Sequence, residues 1–186
     1  MDDADPLLLA QLERVAEHEA RVSAGPLTRL TRSLGKTAAF SAVYRRIGPA
    51  IDPTIAQWRG GRFMAGLYGF PMLLLSSTGA KSGAHRTSPL LYVRDGNDII
   101  VVGTNFGQPK HPAWTANLRA NGAAEVQIGA ERLAVRAAEV DTVDWNRFFP
   151  AFVSVYPGYA NYLQRRGGLT PRMFRLTPVA SARSPG

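Results

Sequence analysis

The spacing of apolar residues changes near position 71. Before it, apolar positions recur every three or four residues, and after it they form short runs separated by turns. A helix is predicted from the N-cap and proline at Asp5-Pro6 to the stop at Gly25-Pro26. A basic amphipathic helix is predicted over 27–47, and breaks and a linker follow over 48–60. The sequence therefore predicts a helical extension and linker over 1–60, followed by a main domain over 61–186.

Short apolar runs in the main domain predict six strands, at 72–77, 86–94, 99–104, 124–128, 132–140 and 173–176. A short helix is predicted at 112–120, and another helix begins at a cap on Thr142 or Asp144 and runs through Phe152. Most connections between strands are too short for a helical crossover, so neighbouring strands pair antiparallel. The economical architecture is a closed antiparallel barrel, mainly β with flanking helices.

Composition narrows the possible chemistry. The 186 residues contain no cysteine and three histidines spread along the chain, so we expect no metal site. No run of eighteen apolar residues occurs, and the first residues lack the basic and apolar regions of a secretion signal. These features predict a cytoplasmic protein.

The net charge of +8 favours an anionic partner, which is a nucleic acid, a membrane surface or a phosphorylated small molecule. Residues 61–122 hold six basic residues against two acidic ones, and the bases are spread singly among strands and loops. This distribution favours a local anion pocket over a face that follows a nucleic-acid backbone. We therefore expect no nucleic-acid partner. The basic helix over 27–47 either contacts a membrane surface, forms a lid or packs on the barrel.

The loop between the first two predicted strands has the composition of an anion site. Lys81 and Arg86 supply positive charge, and Gly79 and Gly83 permit backbone angles at which amide groups converge on an oxygen. The loop does not match a phosphate-binding P-loop, because Ala80 occupies the position before the lysine where that motif has glycine, and the loop joins two strands. Two interpretations of the loop remain: a phosphate-binding loop of a different kind, or a solvent-exposed glycine turn.

Two further segments could form a site. Residues 110–117 begin a helix behind a lysine, and helix N-termini attract anions, although Trp114 could equally belong to the core. Tyr156, Tyr159 and Tyr162 recur at three-residue spacing, so on one helical face they would form an aromatic wall with hydroxyl donors or pack in the core. Neither a Ser-His-acid set nor paired carboxylates can be argued, which places any chemistry on a bound cofactor.

Three segments together resemble the deazaflavin-dependent nitroreductase family, which comprises coenzyme F420-dependent reductases of the flavin/deazaflavin oxidoreductase superfamily found mainly in actinobacteria. The resemblance covers roughly residues 63–178. It rests on LLLSSTGAKSGAHRTSPLLYVRDG, VVGTNFGQPKHPAWTANLRAN and VYPGYANYLQRR, in the order and spacing of that family. It implies a split β-barrel, the fold of FMN-binding proteins, which agrees with the antiparallel barrel expected from the strand pattern.

The resemblance also implies roles for particular residues. The cofactor phosphate would be held by Ala80, Lys81, Ser82 and Arg86. The deazaflavin ring would lie beside two strand segments and a helix, formed by Thr87, Ser88, Pro89, Leu90 and Leu91, by Val102, Gly103, Thr104 and Asn105, and by Ala113, Trp114, Thr115, Ala116 and Asn117. Tyr159 would lie over the reactive face as the catalytic residue, and Tyr156 and Tyr162 would form walls of the substrate pocket.

The implied reaction is hydride transfer from reduced F420 to an electron-poor small molecule, namely an enone, a quinone or a nitroaromatic compound. Tyr159 would hydrogen-bond or protonate the developing anion, while the protein positions the reactants and excludes water. Two alternatives remain: an FMN-dependent oxidoreductase on the same barrel, and a deazaflavin-binding or membrane-associated module without turnover.

Overall fold

The computed structural model describes residues 5–24 and 70–180. Its six strands are β1 (Met72–Thr78), β2 (His85–Asp95), β3 (Asp98–Gly103), β4 (Ala123–Ile128), β5 (Glu131–Glu139) and β6 (Arg172–Pro178). Its helices are α1 (Pro6–Ala24), α2 (Ala113–Ala120), α3 (Thr142–Val155) and α4 (Gly158–Arg165). The predicted basic helix over 27–47, the linker and the boundary between 1–60 and 61–186 lie outside the described residues.

The strands close into a barrel in the order β1-β2-β3-β6-β5-β4, and every neighbouring pair is antiparallel. Closure gives each strand two hydrogen-bonded neighbours, which removes the unpaired edges of an open sheet. The predicted antiparallel barrel with flanking helices is thereby confirmed.

Two hairpins have the turn chemistry that the sequence predicts. Asp95 pairs with Asp98 across the turn between β2 and β3, where Gly96 has a φ of 60°. Ile128 pairs with Glu131 across the turn between β4 and β5, where Gly129 has a φ of 61°. Glycine adopts such left-handed angles at little cost, so these turns hold the strands in register.

Alternation along the strands divides the buried side chains into two clusters. One fills the barrel interior and includes Leu73, Val101 and Leu176. The other lies on the outer surface, where Met72 and Val102 pack with residues of α3 and α4. Because successive side chains of a strand point to opposite faces, both surfaces of these strands are apolar and need cover.

Helix α1 covers part of the barrel. Leu12 and Val15 belong to the interior cluster, and the hydroxyl of Tyr92 donates a hydrogen bond of 2.6 Å to Glu19 Oε1. Burial and the negative charge of Glu19 raise the pKa of Tyr92 well above its ordinary value, so the hydroxyl retains its proton and acts as donor. Arg14 adds an ion pair of 2.8 Å to Glu131 on β5.

Helix α3 is fixed at its N-terminus. Asp141 is the N-cap, since its side chain accepts a hydrogen bond from the Asp144 backbone N–H at 2.8 Å. The predicted caps, Thr142 and Asp144, were therefore wrong by one and three residues. Arg175 donates to Asp95, Asp98 and Asp144, and its hydrogen bond lowers the pKa of Asp95. This cluster joins the start of α3 to the β2–β3 turn.

Within residues 5–24 and 70–180, no helix combines the length and apolar composition needed to cross a membrane. The predicted contact of residues 27–47 with a membrane surface concerns residues outside the described part and stays a prediction.

We expect Tyr92→Phe to lower the free energy of unfolding by about 1.5 kcal/mol, because Glu19 loses a charge-assisted hydrogen bond where solvent is limited. Urea denaturation measures the change. In a Glu19→Ala background the same substitution should cost less than about 0.5 kcal/mol. An equal cost in both backgrounds would mean that the hydroxyl does not act through Glu19.

Candidate active site

A cavity of about 320 Å³ lies between the outer surface of the barrel and the tyrosine segment. Its walls are mostly apolar and aromatic: Phe70, Met72, Ser88, Pro89, Leu90, Leu91, Val102, Gly103, Thr104, Asn105, Phe106, Pro112, Trp114, Tyr156, Tyr159 and Tyr162. The volume falls in the range of small-molecule sites, which are concave, mainly apolar and furnished with a few polar groups.

Twelve of the residues predicted for the site line this cavity. They come from the middle of β2, the end of β3, the start of α2 and the tyrosine segment. These segments are far apart in sequence, and barrel closure brings them to one place. Among the described residues of this lining none carries a formal charge, so this part of the cavity suits a flat, largely apolar group.

The three tyrosines form one packed cluster. The Tyr159 ring meets those of Tyr156 and Tyr162 edge to face, with centroids 5.7 and 5.8 Å apart. Tyr156 does not share a helix with the other two, because it ends α3 as the C-cap, whereas Tyr159 and Tyr162 lie in α4. The prediction of one helical face was therefore wrong in detail, and the turn between α3 and α4 brings the third ring to the wall.

Gly158 permits this arrangement. A Cβ atom at position 158 would lie 2.5 Å from Cζ of Tyr156 and 2.7 Å from its hydroxyl oxygen. Such distances are too short for a side chain to occupy without moving the ring. The first residue of α4 therefore has to be glycine for Tyr156 to fold back onto its own turn.

The loop between β1 and β2 is ordered by its own backbone. Gly79 N–H donates to Ala84 O, and Gly83 N–H donates to Gly79 O, both at 2.8 Å. Gly83 has a positive φ of 66°, one of the angles that glycine permits, whereas Gly79 does not have a positive φ. Lys81, Ser82 and Arg86 are exposed. Within the described residues, the backbone N–H groups of Lys81 and Ser82 have no protein acceptor, which leaves two donors beside two cations.

Asn117 of α2 anchors this loop. Its side-chain oxygen accepts a hydrogen bond from Ala80 N–H at 3.0 Å, and its Nδ2 donates to Ser77 Oγ at 3.2 Å. The Ala80 N–H is therefore already occupied, and Asn117, which lies outside the cavity lining, is placed to support the loop. The resemblance implied a cofactor contact for both residues.

The remaining residues predicted for the cofactor site lie elsewhere. Thr87 bonds Ser76 across the β1–β2 pair, with 3.2 Å between their hydroxyl oxygens. Ala113 and Ala116 are exposed on α2. Thr115 is buried, and a Cβ on Gly103 would lie 2.7 Å from its Cγ2. Thr115 therefore packs on β3 and lies outside the cavity lining, although the resemblance implied a place beside the ring.

Strand β2 joins the basic loop to the cavity. Arg86 lies at the exposed start of this strand and Ser88 lines the cavity two residues later. At about 3.3 Å per residue, their backbones are about 7 Å apart. One ligand can therefore reach both, with an apolar ring in the cavity and an anionic group on the loop.

Sequence reasoning missed four residues at or beside the site. Phe70, Met72 and Phe106 line the cavity, as does Pro112 of the predicted segment 110–117, and Arg166 lies fully buried behind it. Phe106 and Asn105 have left-handed φ angles of 55° and 47°. Neither position holds glycine, the residue that usually indicates such angles, so the sequence pattern does not predict them. The available signal was the apolar character of Phe70 and Met72 at a strand start, which indicates burial without indicating a cavity.

No group of three His, Asp or Glu side chains that could hold a metal ion occurs within the described ranges 5–24 and 70–180. The polar groups of the described lining residues are hydroxyls, one amide, the indole N–H of Trp114 and backbone atoms. Such a site can bind, orient and hydrogen-bond a ligand, while electron transfer needs a cofactor.

Comparisons with known proteins agree with this geometry. The sequence model of the F420H(2)-dependent quinone reductases matches residues 52–172. A Mycobacterium tuberculosis H37Rv protein that is named as such a reductase is 38% identical over 89 residues, which are 48% of this chain and 75% of that protein. The F420H(2)-dependent quinone reductase Rv1261c of the same strain is 42% identical over 74 residues, 40% of this chain and 50% of the relative.

Solved structures show the same class of protein. An F420-H2 dependent reductase, FDR-A, is 34% identical, with a TM-score of 0.52 over 57% of this chain and 93% of that one. A structure described as a domain-swapped dimer is 29% identical, with a TM-score of 0.54 over 67% of this chain and 93% of that one. The fold is that of the F420-dependent oxidoreductases on a split β-barrel. The chain belongs to the F420H(2)-dependent quinone reductase family, which confirms the predicted F420-dependent family and its cofactor.

We expect Gly158→Ala to lower the free energy of unfolding by about 1–3 kcal/mol, because the new methyl group displaces the Tyr156 ring. In a Tyr156→Ala background the same substitution should be neutral or stabilising by up to about 1 kcal/mol, since alanine is the better helix former. Urea denaturation of the four proteins completes the cycle. An equal cost in both backgrounds would exclude the clash as its cause.

Proposed function

We propose that this protein catalyses the reduction of quinones by reduced coenzyme F420. The observation that carries the proposal is the uncharged aromatic cavity joined by β2 to the exposed basic loop. A planar ring system with an anionic tail requires this pairing of environments. Membership of the family supports the cofactor, and the names of the relatives support the substrate class.

The residues present fit the cofactor. Lys81, Arg86 and the unused N–H groups of Lys81 and Ser82 offer charge and donors to a phosphate. The cavity of about 320 Å³ offers apolar contacts to a ring from Ser88–Leu91 on β2 and from Val102–Asn105 at the end of the neighbouring strand β3. The net positive charge of the loop suits the further negative charges of the cofactor tail.

When bound, the reduced cofactor supplies a hydride to the substrate. Formation of the hydroquinone also needs one proton on a quinone oxygen, and Tyr159 is the side chain to which we assign its delivery. Its ring is buried in the cavity wall between Tyr156 and Tyr162. From there the Tyr159 hydroxyl can hydrogen-bond the quinone oxygen as negative charge develops, while the neighbouring rings exclude water.

The walls favour a quinone among the electron-poor substrates that the sequence analysis allowed. A quinone is flat and apolar with two oxygens in its plane, so aromatic walls contact its faces and a hydroxyl meets its edge. Within the part of the chain that the structure describes, the lining holds no charged side chain that a nitro or carboxylate group would engage. A contact of residues 27–47 with the membrane that holds lipid quinones would bring substrate to the site, and this part of the proposal rests on sequence alone.

The direct test is anaerobic oxidation of reduced F420, followed by its absorbance, with a soluble quinone, an enone and a nitroaromatic compound in parallel. We expect the quinone to give the largest kcat/KM. Fluorescence quenching with F420 and with FMN should show saturable binding of F420 at a lower Kd. Preferred binding of FMN, or binding of F420 without turnover of any acceptor, would contradict the proposal.

We expect Lys81→Ala combined with Arg86→Ala to raise the Kd for F420 by about 100-fold, because each removes about 1.4 kcal/mol or more of charge-assisted contact. The affinity loss should shrink as salt rises, since salt screens exposed charges. The control is Arg21→Ala with Arg132→Ala, which removes two exposed basic residues from α1 and β5. Wild-type affinity in the Lys81 and Arg86 variant would refute the clamp.

We expect Tyr159→Phe to lower kcat for quinone reduction by about 100-fold, the lower end of the contribution of a positioned proton donor. The Kd for F420 should stay within about twofold, because the ring contacts are retained. Tyr92→Phe, which removes a buried hydroxyl on the α1 side of the barrel, is the matched control and should keep the wild-type kcat. A wild-type rate for Tyr159→Phe with every quinone would exclude the proton-donor role.

A further inference from the structure

Arg166 is a buried cation held by carbonyl oxygens. It is 1% exposed, and its guanidinium donates to Thr104 O at 2.6 Å, Leu169 O at 2.9 Å and Gln108 O at 3.1 Å. Longer contacts reach Lys110 O at 3.4 Å and His111 Nδ1 at 3.5 Å. In the parts of the chain that the structure describes, no carboxylate forms an ion pair with it.

Burial lowers the pKa of Arg166, yet arginine keeps its proton because its ordinary pKa is so high. A buried cation without a counter-ion is unfavourable unless its donors are satisfied. The carbonyl dipoles therefore stabilise the positive charge of Arg166 in place of a carboxylate.

The segment that Arg166 holds has unusual backbone angles. Asn105, Phe106 and Gly107 have successive φ values of 47°, 55° and 79°. Residues other than glycine rarely adopt such backbone angles, and two such residues in succession keep them only where the surrounding structure enforces the conformation. The turn has two backbone hydrogen bonds of 3.0 Å, from Gly107 N–H to Thr104 O and from Gln108 N–H to Asn105 O. Arg166 adds its donors to both ends of this turn.

The turn also forms a wall of the cavity. Thr104, Asn105 and Phe106 belong to the lining. The Phe106 ring packs edge to face on Tyr162 with centroids 6.4 Å apart, and a Cβ on Gly107 would lie 3.2 Å from the Tyr162 Cα. Arg166 directly follows α4, the helix that carries Tyr159 and Tyr162. Its hydrogen bonds to Thr104 O and Gln108 O therefore connect this helix with the turn over 104–108.

We infer that Arg166 is a positioning residue for the reaction. It holds the turn over 104–108 in its strained shape against the tyrosine helix, so that Thr104, Asn105 and Phe106 keep the cavity at the width of the reacting rings. It acts through these residues and does not itself touch the reactants. The kinetic part of this inference rests on the proposed quinone reductase activity, whereas the part concerning the turn stands independently.

The test compares Arg166→Met, Arg166→Lys and Arg165→Met. Methionine retains much of the aliphatic stem and removes every donor, while lysine keeps the charge with three donors in place of the planar fork. Arg165 is the preceding residue, is exposed, and serves as the matched loss of charge at the same helix end. Each variant is measured as the full chain, with rates scaled to the folded fraction determined by thermal unfolding.

The first readout needs no substrate. Hydrogen exchange of the Gly107 and Gln108 amides should accelerate at least tenfold in Arg166→Met, with the amides of the barrel strands changed less than threefold. Arg166→Lys should lie between Arg166→Met and the wild type, and Arg165→Met should match the wild type. Unchanged exchange at Gly107 and Gln108 in Arg166→Met would overturn the inference, whether or not the protein proves to be a quinone reductase. If Arg166→Met does not fold, the exchange rates of the same two amides in Arg166→Lys provide the test.

The second readout separates positioning from a role in stability alone. At saturating F420H2 and quinone, kcat of folded Arg166→Met should fall at least tenfold, because small displacements of reacting groups cost large factors in rate. The Kd for F420 should change less than threefold, since the basic loop lies on another segment, and lysine should restore part of kcat. A lower melting temperature with wild-type kcat per folded molecule would assign Arg166 to stability and overturn the inference.

Discussion

The apolar outer face of the barrel is the constraint on which the site depends. A strand that sends Leu73 or Val101 into the interior sends Met72 or Val102 outward, because its side chains alternate. Exposed apolar surface costs about 25 cal/mol per Å², so this face needs cover. Helices α3 and α4 provide it with Phe and Tyr rings, and the cavity is the space that remains between cover and barrel.

Charge is kept out of that space for the same reason. The described lining residues are uncharged and favour rings, whereas the cations Lys81 and Arg86 are exposed on the loop after β1 and at the start of β2. Asn117 connects the two environments, since its helix packs on the barrel and its amide group bonds the loop at Ala80 and Ser77. The loop can therefore be exposed and still hold one shape, which reduces the entropy lost when a ligand binds.

Much of the fold follows from local pattern. The six strands, both two-residue hairpin turns and the ends of α1 match the apolar runs, the glycines and the proline that predict them. Strand bounds agree to within one or two residues, because alternation and turn chemistry are properties of neighbouring residues. The N-cap of α3 was misplaced because Asp141, Thr142 and Asp144 are all good capping residues, and only the hydrogen bond to the Asp144 N–H distinguishes them.

The sequence by itself determined the antiparallel strands, the basic loop, the family resemblance and the tyrosines as candidates. Only the tertiary structure decided that Asn117 supports the loop, that Tyr156 reaches the wall from the end of α3, and that Arg166 is buried beside a left-handed turn. The reason is range: periodicity and turn preference report on residues a few positions apart, whereas Arg166 meets Thr104 across 62 positions of the chain. Such contacts exist only after the barrel has closed.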